Sequence, residues 1–536
     1  MNQKARGASS IDLEKYRLRR FVERLIDMGE VTIHHEPVPL TGLSPIIEGT
    51  DKAVLFKKAG PEQVEIVAKT AGNRARLAAA FETSTDKLYD EYFKRLANPQ
   101  PVVEVPSEDA PVHAVKIMGH DIDLTKLPFH PQHAYDGSCY LSAAIDYTID
   151  PSTGRTNVGC RRLSLRNRYE TGTNVTAPSD LKRIYQACVA RGERLPITFT
   201  VGAHPLDFLA ATTRQPGDEL SLIATFRGER APVVKSLTND ILVPADAEMT
   251  LEGYLDERGY VEPEGPYGEY MGYYGAIHMD PVFHCTAITM RHDVLHHTLL
   301  HGSAFVLDQT DSANITALRT EAEAMKILKA TVQEPIAVYV RSVSGGSNTL
   351  RVSLKQRAAG EARAAIDALF RGIMRLKHVY AFDEDIDIRN DRQVEWALGT
   401  RFQADQDLII LQGMKGMTMD PSLNGRRTGA KSGFDCTKPF GREGDIPLTR
   451  SAAKVFAAPA RFQTVELALA SAPMFYADIV EAVGSDDGRE VACTLDALRQ
   501  SGRLARDRDG RYHLSRSEPG VTGIVGELYP DPNEGT

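Results

Sequence analysis

Residues 262–274 read Glu262-Pro263-Glu264-Gly265-Pro266-Tyr267-Gly268-Glu269-Tyr270-Met271-Gly272-Tyr273-Tyr274. Gly265, Pro266 and Gly268 lie between Glu264 and Glu269 and forbid a regular helix, so the two carboxylates are expected on an irregular loop. Carboxylates placed on such a loop can be given unlike environments, one ionised and one kept protonated, as general acid chemistry requires. A solvated acidic turn is the plain alternative. The glycines and tyrosines packed among the carboxylates weigh against it.

A second informative stretch lies upstream, from Pro151 to Leu163. Asp150-Pro151 and Gly154 predict a turn, and the run from Asn157 predicts the returning strand of a hairpin. Strand alternation then puts Asn157, Gly159 and Arg161 on one face and Arg162 on the other. A guanidinium suits two-pronged capture of a substrate carboxylate. Two adjacent arginines flanking a surface strand would read the same way from this segment alone.

Taken together, the two stretches resemble the UbiD family. Asn157 to Arg162 is similar to its N-x-x-x-x-R signature, and Glu264 to Glu269 to its E-G-P-[FY]-G-[ED] signature. The likeness continues through Gly228-Glu229 to Lys235, Thr238-Asn239-Asp240, Val243-Pro244-Ala245 and Asp383 to Asp387, so it covers roughly residues 10–455. The resemblance implies a non-oxidative, reversible carboxy-lyase acting on an aromatic, heteroaromatic or α,β-unsaturated acid, or an aroyl thioester. Its cofactor is prenylated FMN, supplied by a flavin prenyltransferase. It further implies that Arg162 anchors the carboxylate, that Glu264 and Glu269 flank it, and that Glu269 is the proton donor in a pocket rimmed by Tyr267, Tyr270 and Tyr273. The flavin phosphate is expected on a divalent metal held by Asn157, Asp180 and Glu219, with K⁺ nearby. Gly159, Cys160, Arg161, Arg162, Ser179 and Arg371 are carried into the cofactor-binding set. Family members commonly have histidine where Asp180 stands. A carboxylate there makes the donor set all-oxygen and favours Mn²⁺ or Mg²⁺, with Fe²⁺ also compatible. Ser179-Asp180 reads equally as the cap and first-turn acid of a helix over 179–191.

Working outward, the chain is expected to be α+β and multidomain. An N-terminal α/β region (1–115) opens with a helix over 11–28 capped by Ser10 and has a second helical stretch near 75–96. A split-β-barrel flavin domain (116–310) follows, with strands at 140–149, 157–165, 196–201, 232–235 and 283–290 and one helix, 179–191. Residues 311–455 alternate helix and strand and predict an α/β oligomerisation domain. The last segment, 456–536, predicts three short helices and a hairpin at Asp509-Gly510, which resembles a winged helix.

The bulk numbers agree with a soluble enzyme. A net charge of −9 and a pI near 6.0 supply no basic field for nucleic acid or an acidic membrane. No apolar run is long enough to span a membrane, and six cysteines without a C-x-x-C pair argue for reduced thiols in the cytoplasm. Two other readings stay open at this level: a metal-dependent hydrolase using the same carboxylates, and a flavin-binding transcriptional regulator working through the last segment.

Overall fold

The structure is a computed structural model that describes residues 11–214, 217–417, 419–442 and 446–515. Ser10, the expected first cap, and Pro216 lie outside the described residues. The chain divides into two compact bodies, Met1–Thr437 and Lys438–Thr536. The division falls at 437/438, where the sequence suggested 455/456.

The first body is built on a closed barrel of six antiparallel strands. Their order is Met249–Leu255, Leu195–Val201, Tyr140–Ile149, Thr156–Leu165, Glu170–Thr173 and Val282–Met290, which pairs back onto Met249–Leu255. Closure removes the unpaired edges that an open sheet would expose. Leu163, Phe199, Val201, Leu251 and Phe283 fill one core cluster with the helix Asp180–Ala190. Gly253 allows the tightest approach, because a Cβ there would stand 1.9 Å from the His284 carbonyl oxygen.

Two helices that the sequence did not announce, Pro205–Thr212 and Leu220–Arg227, pack beside the barrel. Nearly all their residues are buried, so neither carries the one-sided apolar stripe by which a helix is recognised. Arg227 ties them together: its guanidinium donates two hydrogen bonds to Asp207 (2.9 and 2.7 Å) and two to Asp246 (2.7 and 3.2 Å), and all three side chains are buried. The pairing anchors the helix that begins just after Glu219.

The N-terminal region begins with the helix Leu18–Asp27, shorter than the expected 11–28, and its second helical stretch is two helices, Arg74–Ala80 and Leu88–Leu96. Its sheet takes Val31–His34, Ala53–Ala59 and Val64–Ala68, and is completed by Leu295–Thr298 from beyond the barrel. After the long helix Asp311–Thr331, a five-stranded sheet in the order Pro335–Val340, Thr349–Leu354, His378–Asp383, Thr428–Asp435, Leu408–Lys415 closes the first body. The second body holds the helices Val465–Ser471, Tyr476–Val483 and Arg489–Gln500 and a hairpin of Leu504–Arg506 with Tyr512–Leu514 around its own small apolar cluster. No helix among the described residues is long and apolar enough to cross a membrane.

Replacing Arg227 by Met should strand Asp207 and Asp246 as uncompensated buried carboxylates. The expected loss is about 3–5 kcal/mol, the usual cost of breaking a buried ion pair from one side, read as a lower urea midpoint for the barrel-containing body. An unchanged midpoint would contradict the anchoring role.

Candidate functional site

The carboxylate segment is more ordered than a loop. Glu262–Glu264 pairs antiparallel with His278–Asp280, and Tyr267–Gly268 with Tyr274–Gly275, so two short ladders frame the cis Gly265–Pro266 peptide. Gly265, at φ +91°, takes a backbone conformation that side-chain-bearing residues rarely adopt. Directly opposite Glu264 in the first ladder stands His278.

Arg162, on the barrel strand Thr156–Leu165, meets this segment. Its Nε and Nη2 donate to the two oxygens of Glu264 at 2.8 and 2.9 Å, and its Nη1 donates to Glu269 Oε1 at 2.7 Å. The guanidinium lies over the fully buried ring of Tyr267, 4.1 Å from its centroid, and the Tyr267 hydroxyl donates to Gln132 Oε1 at 2.6 Å. Of the five guanidinium N–H groups, three are thus committed to the glutamates, which leaves one on Nη1 and one on Nη2 without a hydrogen bond among the described residues. Burial would raise the Glu264 carboxyl, but hydrogen bonds from Arg162 and from His278, whose Nε2 is 3.1 Å away, outweigh it and hold it near 2. His278, hydrogen-bonded to Asp280 and Glu264, is pushed up to about 10. Glu264, His278 and Asp280 bring ligand-type atoms within 4.8 Å of one another, yet Arg162 occupies both Glu264 oxygens, so the trio works as an ion-pair network.

Glu269 has a freer setting. Among the described residues only Arg162 donates a hydrogen bond to its carboxylate, and it lines a cleft of about 550 Å³ with Gln132, His133, Tyr273, Tyr274 and Ser303. Of the three tyrosines expected to rim the pocket, Tyr267 is buried beneath Arg162, Tyr270 is largely enclosed, and Tyr273 is 60% exposed. Tyr273 therefore borders open solvent and does not contribute to an apolar enclosure.

At the other end of the same strand the three expected metal ligands come together. Asn157, Asp180 and Glu219 line a pocket of about 190 Å³ with Asp150, Arg155 and Arg183. The Asn157 Oδ1 atom is buried without a hydrogen-bond partner. Glu219 Oε2 accepts from the Val158 amide at 2.8 Å, and Arg214 reaches Glu219 at 3.1 Å and Asp180 at 3.7 Å. An orphaned amide oxygen among carboxylates suits a hard divalent cation, and the ring of arginines suits a phosphate on it. Ser179 caps the helix through the Lys182 amide at 3.2 Å, so its hydroxyl is engaged, while Asp180 opens the first turn and still faces the pocket. As alternation requires, Gly159 and Arg161 turn to the opposite face from Arg162. A Cβ on Gly159 would meet Asp146 at 2.7 Å, and Arg161 Nε lies 3.4 Å from the same carboxylate. Burial pushes the Cys160 thiol up to about 12. Arg371 is not brought to the site: it is an exposed residue on the helix Glu361–Gly372, paired with Asp367 at 2.6 Å.

Sequence reasoning missed His278, Asp280, Gln132 and Arg214. His278 and Asp280 alternate along a strand, but only the pairing register shows that they face Glu264. Arg214 precedes the turn to Glu219 and carries no motif.

Comparison with known proteins places these residues within matched segments. Residues 103–304 match the UbiD family's 3-octaprenyl-4-hydroxybenzoate carboxy-lyase Rift-related domain, and residues 313–436 its C-terminal domain. An uncharacterised protein from the cooM 5′ region of Rhodospirillum rubrum is 31% identical, over 79% of this chain and 91% of its own. Anhydromevalonate phosphate decarboxylase of Methanosarcina mazei is 29% identical, over 78% of this chain and 96% of its own. The UbiD-class enzyme HmfF of Pelotomaculum thermopropionicum in complex with FMN superposes with a TM-score of 0.77 at 29% identity, covering 82% of this chain and 97% of its own. An evolved dimeric form of HmfF in complex with prFMN gives 0.73 at 28%, with the same coverage.

The network has a pH signature. Because the His278 pKa is raised on folding, its ion pairs contribute fully below its ordinary value near 6.5 and are lost as pH rises toward 10. The melting-temperature gap between the native chain and His278→Gln should therefore be widest near pH 6 and narrow steadily toward pH 10. A gap that widens with pH would reverse the assignment.

Proposed function

The chain belongs to the UbiD family of carboxy-lyases, and we propose that it removes CO2, reversibly and without oxidation, from an aromatic, heteroaromatic or other α,β-unsaturated acid on a prenylated FMN. The observation that carries this reading is the Arg162 guanidinium, pinned between two glutamates and a tyrosine ring with one N–H on each Nη to spare. Two such donors suit the oxygens of a carboxylate. The relatives support the cofactor, since HmfF is known with FMN and with prFMN.

Asn157, Asp180 and Glu219 would hold a divalent cation, Mn²⁺ or Mg²⁺ by the chemistry of the donor set, and through it the flavin phosphate. When bound, the modified flavin supplies an electron sink for the pair released as CO2 departs. Arg162 orients the substrate carboxylate and, fixed by Glu264 and Tyr267, does so without reorganising. Glu264 cannot supply a proton near neutrality, because Arg162 and His278 keep it ionised down to about 2. The donor role accordingly falls to Glu269, whose second oxygen is uncommitted and whose cleft admits solvent to restore the proton after each turnover. The M. mazei relative is named for a phosphate-bearing acid, so a second anionic group on the substrate is compatible with the family. A homo-oligomer built through residues 311–455 is part of the same reading, checked by light scattering of the purified protein; a monomer at micromolar concentration would count against it.

Two measurements test the assignment. Glu269→Gln keeps shape and hydrogen bonding but removes the transferable proton. Turnover should fall by roughly two to four orders of magnitude with flavin and metal content near native, and solvent deuterium uptake at the carbon that lost CO2 should slow in step. Near-native turnover would move the proton donor elsewhere. Asn157→Ala should lose divalent metal and flavin together, read by elemental analysis and visible absorbance; a variant that keeps both would remove the metal assignment.

A further inference from the structure

A second pair of arginines stands at the long helix Asp311–Thr331. Arg375, in the turn before the strand His378–Asp383, donates to Thr320 Oγ1 at 2.9 Å and to Glu323 at 2.5 Å. Arg319, one residue before Thr320 and largely enclosed, makes no hydrogen bond or ion pair with any described residue. Its electrostatic neighbours are Arg375, Tyr92, Glu323 and the Cys160 thiol. One carboxylate, Glu323, thus serves two guanidiniums and is already taken by Arg375. Burial, then repulsion from Arg375, brings Arg319 down to about 10.

The position of the pair follows from backbone contacts. The Gly345-Gly346 turn is wedged between the helix and the carboxylate segment. A Cβ on Gly346 would lie 2.1 Å from the Ala313 carbonyl oxygen, and one on Gly345 would lie 2.9 Å from that of Tyr270. Tyr270 in turn lies within electrostatic reach of Glu269, Arg375 and Arg319 together. Cys160 is two residues from Arg162 on its strand, a separation of about 7 Å along an extended chain. The unpaired guanidinium therefore lies within electrostatic reach of both the Arg162 strand, at Cys160, and the carboxylate segment, at Tyr270. The flavin phosphate does not account for it, because Arg155, Arg183 and Arg214 already gather around Asn157, Asp180 and Glu219.

Enclosed guanidiniums are costly to leave without a counter-charge, and their planar fork fits a carboxylate or a phosphate equally. We infer that Arg319 and Arg375 form a subsite for a second, non-reacting anionic group, so that the substrate is an unsaturated acid carrying another carboxylate or a phosphate. The inference rests on the decarboxylase reading above and narrows its substrate class.

The test uses holoenzyme loaded with prenylated flavin and two matched pairs of acids: an unsaturated dicarboxylate with its monoamide, and an unsaturated acid phosphomonoester with the corresponding alcohol. The doubly anionic member of at least one pair should be favoured in kcat/KM by about tenfold or more, and Arg319→Gln should collapse that ratio to about threefold or less, the scale of one lost charge-assisted contact. Whichever pair shows the larger ratio identifies the anion. A ratio that survives in both Arg319→Gln and Arg375→Gln overturns the subsite while leaving the decarboxylase intact, as does a loss of flavin that lowers both members of a pair equally. Should no acid release CO2, the decarboxylase reading fails by itself. The subsite is then decided by calorimetry with benzene-1,3-dicarboxylate against its monoamide: selective weakening in Arg319→Gln supports it, and equal binding of the two probes by the native chain overturns it.

Discussion

The site depends on one buried cation with two carboxylates. Arg162 leaves water only because Glu264 takes two of its donors and Glu269 a third, while the Tyr267 face covers its plane. A guanidinium enclosed without such partners would cost several kcal/mol, and either glutamate left alone would be stranded in turn. The arginine and the glutamates come from segments about a hundred positions apart in the chain, so their pairing also fastens the carboxylate segment to the barrel. His278 and Asp280 extend the same logic, supplying Glu264 with a second cation and that cation with a second anion.

A single strand sets the length scale of the site. Asn157 and Arg162 stand five residues apart on Thr156–Leu165, a spacing of about 17 Å in extended backbone. Oxygen donors gather at one end and the Arg162 guanidinium at the other. Because the strand belongs to a closed barrel, its placement cannot drift by a register slip without breaking ladders on both sides. The helix after Glu219 is held with comparable firmness by Arg227, so the third oxygen donor has a fixed base.

Much of this arrangement is legible in the amino-acid sequence. The strands Tyr140–Ile149 and Thr156–Leu165 and the helix Asp180–Ala190 stand within a residue or so of where alternation and capping put them. The opposed faces of Arg161 and Arg162 follow from strand geometry alone. The helices Pro205–Thr212 and Leu220–Arg227 are not legible, because burial on every side erases the amphipathic period. Arg371 is misplaced by sequence alone for a related reason: arginines close together in the chain look alike in sequence, and only packing shows that Arg371, on the helix, faces solvent while Arg375, in the turn beyond it, reaches Thr320.

The sequence by itself determined the chemistry available: two carboxylates on a glycine-interrupted segment and an arginine on a strand. These are local facts, carried by residue type, turn propensity and a two-residue period. Tertiary structure alone decided how that chemistry is divided. Register set His278 against Glu264, whose carboxyl is thereby held near 2, while the Glu269 side chain borders a cleft. Ionisation depends on which charges meet within a few ångströms in a poorly solvated space, and those distances exist only once distant segments have packed.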